Sequence, residues 1–121
     1  ESELERSGQV LKSAGINVQS NHDCRQPLSN VEETMISLCV REATTNILRH
    51  SQAKCCEIYT EFKDKVFWIH IKDDGIGLEM KRFGNGLVSM KERMHSLQGD
   101  VLVKEGSSGG TIITITLPIH S

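Results

Sequence analysis

The spacing of hydrophobic and polar residues predicts three helices and five strands. The helices are predicted at residues 1–14, 31–50 and 87–97, and the strands at residues 16–19, 54–62, 66–73, 100–104 and 111–118. The strand segments are rich in β-branched and aromatic residues or alternate, and residues 63–65 fit a hairpin turn. Because strands and helices are largely segregated, the order favours an α+β fold: a two-layer sandwich with helices on one face of a mixed β-sheet.

Residues with distinct backbone preferences mark the ends of these elements. Gly15 closes the first helix, and Ser29 or Asn30 can cap the second. The polar segment 21–27 contains a proline and is predicted to be a loop, and residues 75–86 form a stretch rich in glycine.

Composition restricts the classes of function. The chain has 121 residues, of which 37% are hydrophobic and 25% charged, with a net charge of -2. These values fit one globular domain over residues 1–121. The sequence has no basic stripe of the kind that forms a nucleic-acid-binding surface, and it has no apolar run long enough for a membrane contact. Since the chain begins with Glu1 inside a predicted helix, we expect a fragment of a longer protein.

The cysteines give no metal or disulfide pattern. Cys24, Cys39, Cys55 and Cys56 form no CxxC pair and no finger-like spacing. Cys39 is predicted to lie in the core, and Cys55 and Cys56 to begin a strand with side chains on opposite faces. Reduced thiols in a cytosolic protein are the favoured interpretation, and a redox or metal role is the alternative.

The helix predicted at residues 31–50 carries an apolar face and a polar stripe. The apolar positions recur at spacings of three and four: Val31, Met35, Leu38, Cys39, Ala43 and Ile47. The opposite side is predicted to hold Thr34, Ser37, Arg41, Thr44 and Thr45. The polar stripe consists of Glu42, Asn46, Arg49 and His50. It is in line with Met35 and Leu38 and is predicted to face inward, where such groups need partners. Either Glu42 pairs with Arg49, or the stripe faces a ligand that carries negative charge and a metal ion.

Three glycine motifs follow along the chain. Asp73-Asp74-Gly75-Ile76-Gly77 comes directly after a strand, where a carboxylate and a closely approaching backbone suit ligand binding. Gly84-Asn85-Gly86-Leu87 is predicted to open a helix, whose free N–H groups favour a phosphate. Gly109-Gly110-Thr111 begins the last strand. Taken singly, the first is compatible with a calcium turn and the others with ordinary turns, and none is a Walker loop.

Together and in this order, the motifs resemble the catalytic ATP-binding domain of sensor histidine kinases. This family belongs to the superfamily of gyrase B, Hsp90 and MutL, and implies a Bergerat-type ATP-binding fold. Residues 41–50 resemble its N box, residues 73–77 its G1 box, residues 84–93 its G2 box and residues 109–118 its last motif. The phrases REA-TN--RHS-A and G-GL--M-ER are most similar to the subfamily paired with NarL-type response regulators. The resemblance covers residues 30–118.

The resemblance implies the chemistry of individual positions. Asn46 is expected to coordinate Mg²⁺ through its amide oxygen, with the metal bridging ATP phosphates. Glu42 is expected to polarise the attacking histidine or position water. Asp73 is expected to accept a hydrogen bond from the adenine amino group. The other implied ATP-binding residues are Arg49, His50, Gly75, Gly77, Gly84, Gly86, Leu87 and Thr111.

Among these, Arg49 is expected to meet a phosphate and His50 to lie near the nucleotide. Gly75 and Gly77 are expected to shape the pocket floor, and Thr111 to support Asp73 from a neighbouring strand. Gly84 and Gly86 are expected to end a lid and to present N–H groups to phosphate. The lid, residues 78–83, is short, is expected to be mobile without nucleotide, and has no phenylalanine-rich box apart from Phe83.

The phosphate-accepting half of such a kinase is missing from the sequence. None of the five histidines lies in a phosphoacceptor context: His22, His50, His70, His95 and His120. The resemblance therefore implies a domain that binds ATP and Mg²⁺ but does not phosphorylate itself. Its expected partners are its own dimerisation and phosphoacceptor domain and, downstream, a NarL-type response regulator. The full-length kinase is expected to be a homodimer, this fragment a monomer, and the domain cytoplasmic.

Two other functions share the fold. An anti-sigma-type serine kinase has similar glycine boxes, but its substrate serine lies on another protein, and the NarL-like N box argues against it. A non-catalytic nucleotide-sensing domain is the second alternative. Against it, Glu42, Asn46 and Asp73 are all present, so no box is degenerate.

Overall fold

Five strands form one mixed sheet, and three helices pack with it. The computed structural model describes residues 3–21, 28–48, 53–75, 80–105 and 109–118, and of residues 3–5, 21 and 80–87 only the backbone. The elements in chain order are α1 (Glu3–Ser13), β1 (Asn17–Asn21), α2 (Asn30–Asn46), β2 (Cys55–Lys63), β3 (Val66–Asp73), α3 (Met80–His95), β4 (Asp100–Glu105) and β5 (Thr111–Pro118). The predicted α+β class is confirmed. Within the described ranges, no helix has the length and hydrophobicity needed to cross a bilayer.

The strand order in the sheet is β1-β2-β3-β5-β4. β1 pairs with β2 in parallel, because α2 crosses over between them, and the other pairs are antiparallel. Asp64 and Lys65 form the hairpin turn between β2 and β3 at φ 56° and 63°, the positive values that a two-residue turn of this twist requires. Pairing of β3 with β5 places Asp73, the last residue of β3, opposite Thr111, the first residue of β5.

One face of the sheet and the inner sides of the helices make the core. Buried residues alternate with partly buried or exposed ones along β2, β3 and β5, as expected for strands whose two faces differ in coverage. The largest fully buried strand side chains are Ile58, Ile69, Ile71, Ile113, Ile115, Leu117 and Val101. Cys39 of α2 and Met90 and Met94 of α3 are also fully buried. The predicted core position of Cys39 and the opposite exposures of Cys55 and Cys56 are confirmed.

Helix α2 begins as predicted but is rotated relative to the predicted apolar face. Ser29 caps it in a reciprocal capping box with Glu32, at 2.8 and 3.1 Å. Val31, assigned to the apolar face, is 56% exposed, whereas Thr44, assigned to the solvated side, is buried. Thr44 tolerates burial because its hydroxyl donates to the Val40 carbonyl at 2.8 Å. The core face is therefore centred on Ile36, Cys39, Val40, Ala43 and Ile47.

Helix α3 begins seven residues before its predicted start at Leu87. Its first residue is Met80, so Gly84 and Gly86 lie inside the helix and not ahead of it. The prediction placed these glycines in a motif that opens the helix and supplies free N–H groups. A glycine inside a helix costs only about 1 kcal/mol relative to alanine, and packing of the later turns against the core can offset that cost. The helix ends near His95, followed by Gln98 at φ 64°.

Candidate functional site

Asp73 lies at the carboxyl end of β3 and is buried, with 3% of its surface exposed. Its neighbours across the sheet are Cys56 on β2 and Thr111 on β5. The backbone N–H of Gly75 donates to Asp73 Oδ1 at 2.9 Å, and the backbone N–H of Thr111 also donates to the carboxylate. Asp73, Gly75 and Thr111, predicted separately from two motifs, therefore form one cluster.

Opposing effects act on the pKa of the Asp73 carboxyl. Burial raises the pKa of the carboxyl above its ordinary value of 3.8, and the neighbouring charge of Asp74 raises it further. The hydrogen bonds from Gly75 and Thr111 lower the pKa. A buried carboxylate that accepts from the backbone at Gly75 and Thr111 retains lone pairs that can accept a further hydrogen bond from a ligand.

The turn before β5 comes close to the end of β3. Gly110 has φ +80°, and a Cβ atom there would overlap the backbone carbonyl of Asp73. Gly109 also has positive φ, at +98°. Only glycine fits this approach at Gly110, whereas at Gly109 it is the positive φ that favours glycine.

The C-terminal half of α2 holds Glu42 and Asn46, the two N-box site candidates that lie within the described residues. Asn46 is 6% exposed, and its Nδ2 has no hydrogen-bond partner among the described residues. An unpaired buried amide is costly, which favours a site that receives a ligand. Glu42, one turn earlier, is partly exposed. The predicted inward position of Asn46 is confirmed, while Arg49, His50 and Gly77 lie outside the described residues.

The predicted phosphate-binding backbone at Gly84, Gly86 and Leu87 needs correction. The prediction relied on free N–H groups at the start of a helix. In the structure these residues are interior to α3, where N–H groups donate to carbonyls four residues earlier. The free N–H groups of α3 belong instead to its first turn at Met80. In this conformation, Gly84 and Gly86 do not end a lid.

Asp74 is a polar residue that the sequence analysis did not assign to the site. Its Oδ1 accepts hydrogen bonds from the backbone N–H groups of Lys54 and Cys55, each at 2.9 Å. These bonds lower the pKa of the Asp74 carboxyl. No spacing rule links residue 74 with residues 54 and 55, because the contact depends on the pairing of β2 with β3.

The family described as histidine kinase-, DNA gyrase B-, and HSP90-like ATPase matches residues 31–121. The chain belongs to this ATPase family. The expected resemblance is thereby confirmed, and family membership implies an ATP-binding domain.

Several sensor kinases are similar to this ATPase domain in sequence. Sensor histidine kinase YvfT of Bacillus subtilis is 38% identical over 120 residues, which are 97% of this chain and 32% of that protein. Sensor histidine kinase DesK of Bacillus subtilis is 32% identical, over 98% of this chain and 33% of its own length. Nitrate/nitrite sensor protein NarX of Escherichia coli is 33% identical over 79 residues, 63% of this chain and 13% of NarX. The chain thus spans about a third of the length of the first two relatives.

Solved structures confirm the fold of the ATPase domain. The histidine kinase domain of the blue-light activated kinase of Erythrobacter litoralis has a TM-score of 0.81 at 20% identity, covering 96% of this chain and 58% of that one. Histidine kinase AdeS of Acinetobacter baumannii has a TM-score of 0.81 at 18% identity, covering 98% and 64%.

Proposed function

We propose that this domain binds Mg-ATP and supplies the catalytic half of a two-component sensor histidine kinase. It would transfer the γ-phosphate to a histidine on a separate dimerisation domain. The observation that carries the proposal is the buried Asp73 carboxylate, which accepts hydrogen bonds from backbone N–H groups at the carboxyl end of the central strand β3. The chain that holds it belongs to the ATPase family.

The Asp73 carboxylate fits recognition of adenine. Adenine presents an amino donor where guanine presents a carbonyl oxygen. An ionised carboxylate can only accept hydrogen bonds, so it favours the amino group and repels the carbonyl. Since Gly75 and Thr111 fix the carboxylate before any ligand arrives, the site would be preorganised. Gly77 would complete the pocket floor beside Gly75.

The buried amide of Asn46 fits a magnesium ligand. Its side chain carries a polar atom without a partner in the part of the chain that the structure describes, and the oxygen and nitrogen of an amide are interchangeable by rotation. Amide oxygens suit Mg²⁺, which commonly takes few protein ligands besides phosphates and water. Among the described residues, no three His, Cys, Asp or Glu side chains cluster to hold a metal, so the phosphates would supply further ligands. When bound, Mg²⁺ would neutralise phosphate charge.

The remaining N-box residues would serve phosphoryl transfer. In this reaction a bond forms between the acceptor nitrogen and the γ-phosphorus while the bond to the ADP oxygen breaks. An enzyme contributes mainly position and charge. Glu42 would accept a hydrogen bond from the attacking imidazole and so increase its nucleophilicity, and Arg49 would contact a phosphate, with His50 beside the nucleotide. The free N–H groups at the start of α3, with the segment up to Leu87, would lie toward the phosphates.

Partners and location follow from this proposal. The domain would act with its own dimerisation and phosphoacceptor domain in a homodimeric kinase, while the isolated fragment would be monomeric. The similarity to NarX supports a NarL-type response regulator downstream. The domain would be cytoplasmic, where ATP is available.

Reconstitution in trans tests the function. Alone, the domain should bind ATP and incorporate no stable phosphate. Mixed with the two-helix domain of its own parent, it should phosphorylate the histidine there and yield acid-labile, base-stable phosphate. Glu42→Ala should reduce this transfer far more than it reduces ATP affinity, because a polarising group acts mainly on the transition state. Glu33→Ala, an exposed glutamate on the same helix, is the matched control and should change neither.

Acid-stable phosphate on a serine of a partner protein would contradict the proposal and establish a serine kinase instead. ATP binding with no transfer to any supplied acceptor would favour a nucleotide-sensing domain.

A further inference from the structure

Asp74 makes three hydrogen bonds to the start of β2. Its Oδ1 accepts from the N–H groups of Lys54 and Cys55, both at 2.9 Å, and its own N–H donates to the Cys55 carbonyl at 3.2 Å. Both side-chain bonds therefore converge on one oxygen atom. The side chain is exposed, so neither burial nor a core contact accounts for its position.

These bonds connect segments of the site that are far apart in the sequence. Lys54 and Cys55 begin β2, just after the chain returns from the N-box helix. The carbonyl of Lys54 accepts from the N–H of Asn17 at 2.8 Å, which ties β1 to the same point. Asp74 thus fixes the end of β3 to β2, and through Lys54 to β1.

The backbone on both sides of Asp73 is consequently fixed. On one side, Asp73 pairs with Cys56 and Thr111 in the sheet. On the other side, Asp74 bonds to β2, and Gly75 donates back to the Asp73 carboxylate. If the Asp74 bonds were lost, the peptide units that connect Asp73 to Gly75 could rotate, and the carboxylate would lose its orientation while remaining in the strand.

We propose that Asp74 is a positioning residue of the nucleotide site, which acts by clamping the Asp73–Gly75 backbone to the start of β2. The inference rests on the proposed ATP binding. Position and not charge is the essential property, because one acceptor oxygen at the right place serves both N–H groups. Asparagine has such an oxygen on a side chain of the same length, whereas glutamate keeps the charge but moves the oxygen outward by one methylene group.

Calorimetric ATP titration of four proteins tests this inference: wild type, Asp74→Ala, Asp74→Asn and Asp74→Glu. Loss of the clamp in Asp74→Ala should weaken ATP binding about 10-fold, as is typical when a group that orients a ligand-binding residue is removed. Asp74→Asn should bind within about 2-fold of wild type, and Asp74→Glu should lose affinity as Asp74→Ala does. All titrations are made well below the midpoint of thermal unfolding.

Ile115→Val provides a control for stability alone, because Ile115 is a fully buried core residue that pairs with Ile69 and Val101, away from the Asp73 end of β3. It should lower the unfolding midpoint without changing ATP affinity. If Asp74→Ala does not fold, the Asn and Glu variants still separate position from charge.

The outcomes separate the two proposals. A wild-type domain that does not bind ATP would overturn the proposed function and this inference with it. If the wild type binds, unchanged affinity in Asp74→Ala overturns the positioning role alone. Retention in Asp74→Glu with loss in Asp74→Asn would show that charge, not position, is what Asp74 contributes.

Discussion

Replacing Asp73 by asparagine should separate ligand binding from stability. Asparagine has nearly the same shape and keeps one oxygen for the Gly75 N–H, but its other terminal group is a donor. That donor would face the adenine amino group, which is itself a donor. The spoiled hydrogen bond should cost about 1–3 kcal/mol, or roughly a 5- to 150-fold loss of ATP affinity.

The same substitution should increase the free energy of unfolding, relative to wild type, as the pH rises. Burial raises the pKa of folded Asp73 above its ordinary value of 3.8, so the folded state binds the proton more tightly than the unfolded state. The contribution of Asp73 to stability is therefore complete at pH below 3.8 and is lost as the pH rises through the folded pKa. Asparagine has no such titration. Relative to wild type, Asp73→Asn should gain stability as the pH rises from about 3 to about 7.

Two measurements check this reasoning. Calorimetry with ATP gives the affinity, and urea denaturation at several pH values gives the difference in unfolding free energy, in which other titrating groups cancel. Asp74→Asn is the neighbouring control, expected to keep its ATP affinity. Unchanged affinity in a folded Asp73→Asn would remove the adenine assignment. A variant that loses stability relative to wild type as the pH rises would refute the burial argument.

Four further outcomes are expected. Asn46→Ala should weaken Mg-ATP binding more than metal-free ATP binding, and equal losses by calorimetry would make Asn46 purely structural. Gly110→Ala should lower the free energy of unfolding in urea by more than about 2 kcal/mol, because its Cβ would overlap the β3 backbone. The control Gly15→Ala, at φ +88° in open space, should lower it by about 1 kcal/mol, and similar losses in the two variants would contradict the close approach. Cys55 should alkylate quickly at mildly alkaline pH while Cys56, whose pKa burial raises to about 12, stays unmodified in mass spectra until the domain unfolds. Without nucleotide, backbone amides in the first two turns of α3 should exchange hydrogen faster than those in its last two turns, because two glycines weaken the first turns. An ATP analogue should slow this exchange, and uniform protection without nucleotide would contradict the lid prediction.

Local patterns predicted the strands well. The bounds of β3 and β5 match the prediction, because turn residues flank an alternating or β-branched run in both cases. The start of α3 was missed because its two glycines were placed in a motif that opens the helix, whereas the fold includes them in the helix. The predicted core face of α2 was correct at Cys39, Ala43 and Ile47 but wrong at Val31, which is apolar yet 56% exposed in the first turn.

Sequence motifs identified much of the candidate site, but not the contacts within it. They picked out Asp73, Gly75 and Thr111, and the structure joins these residues by hydrogen bonds and strand pairing. The role of Gly110 in allowing β5 to reach Asp73 depends on a backbone approach that no local pattern contains. The same holds for Asp74, whose partners Lys54 and Cys55 are determined by the β2–β3 register.

The pairing of Asp73 with Thr111 also has a consequence for protein synthesis. These residues face each other across the sheet, although residues 74–110 separate them in the chain. A ribosome-bound chain that ends before β5 would expose the edge of β3, and its Asp73 carboxylate would lack the donor at Thr111. If Asp73 binds nucleotide as proposed, the complete site forms only once β5 has docked, and nucleotide binding would then stabilise that docking.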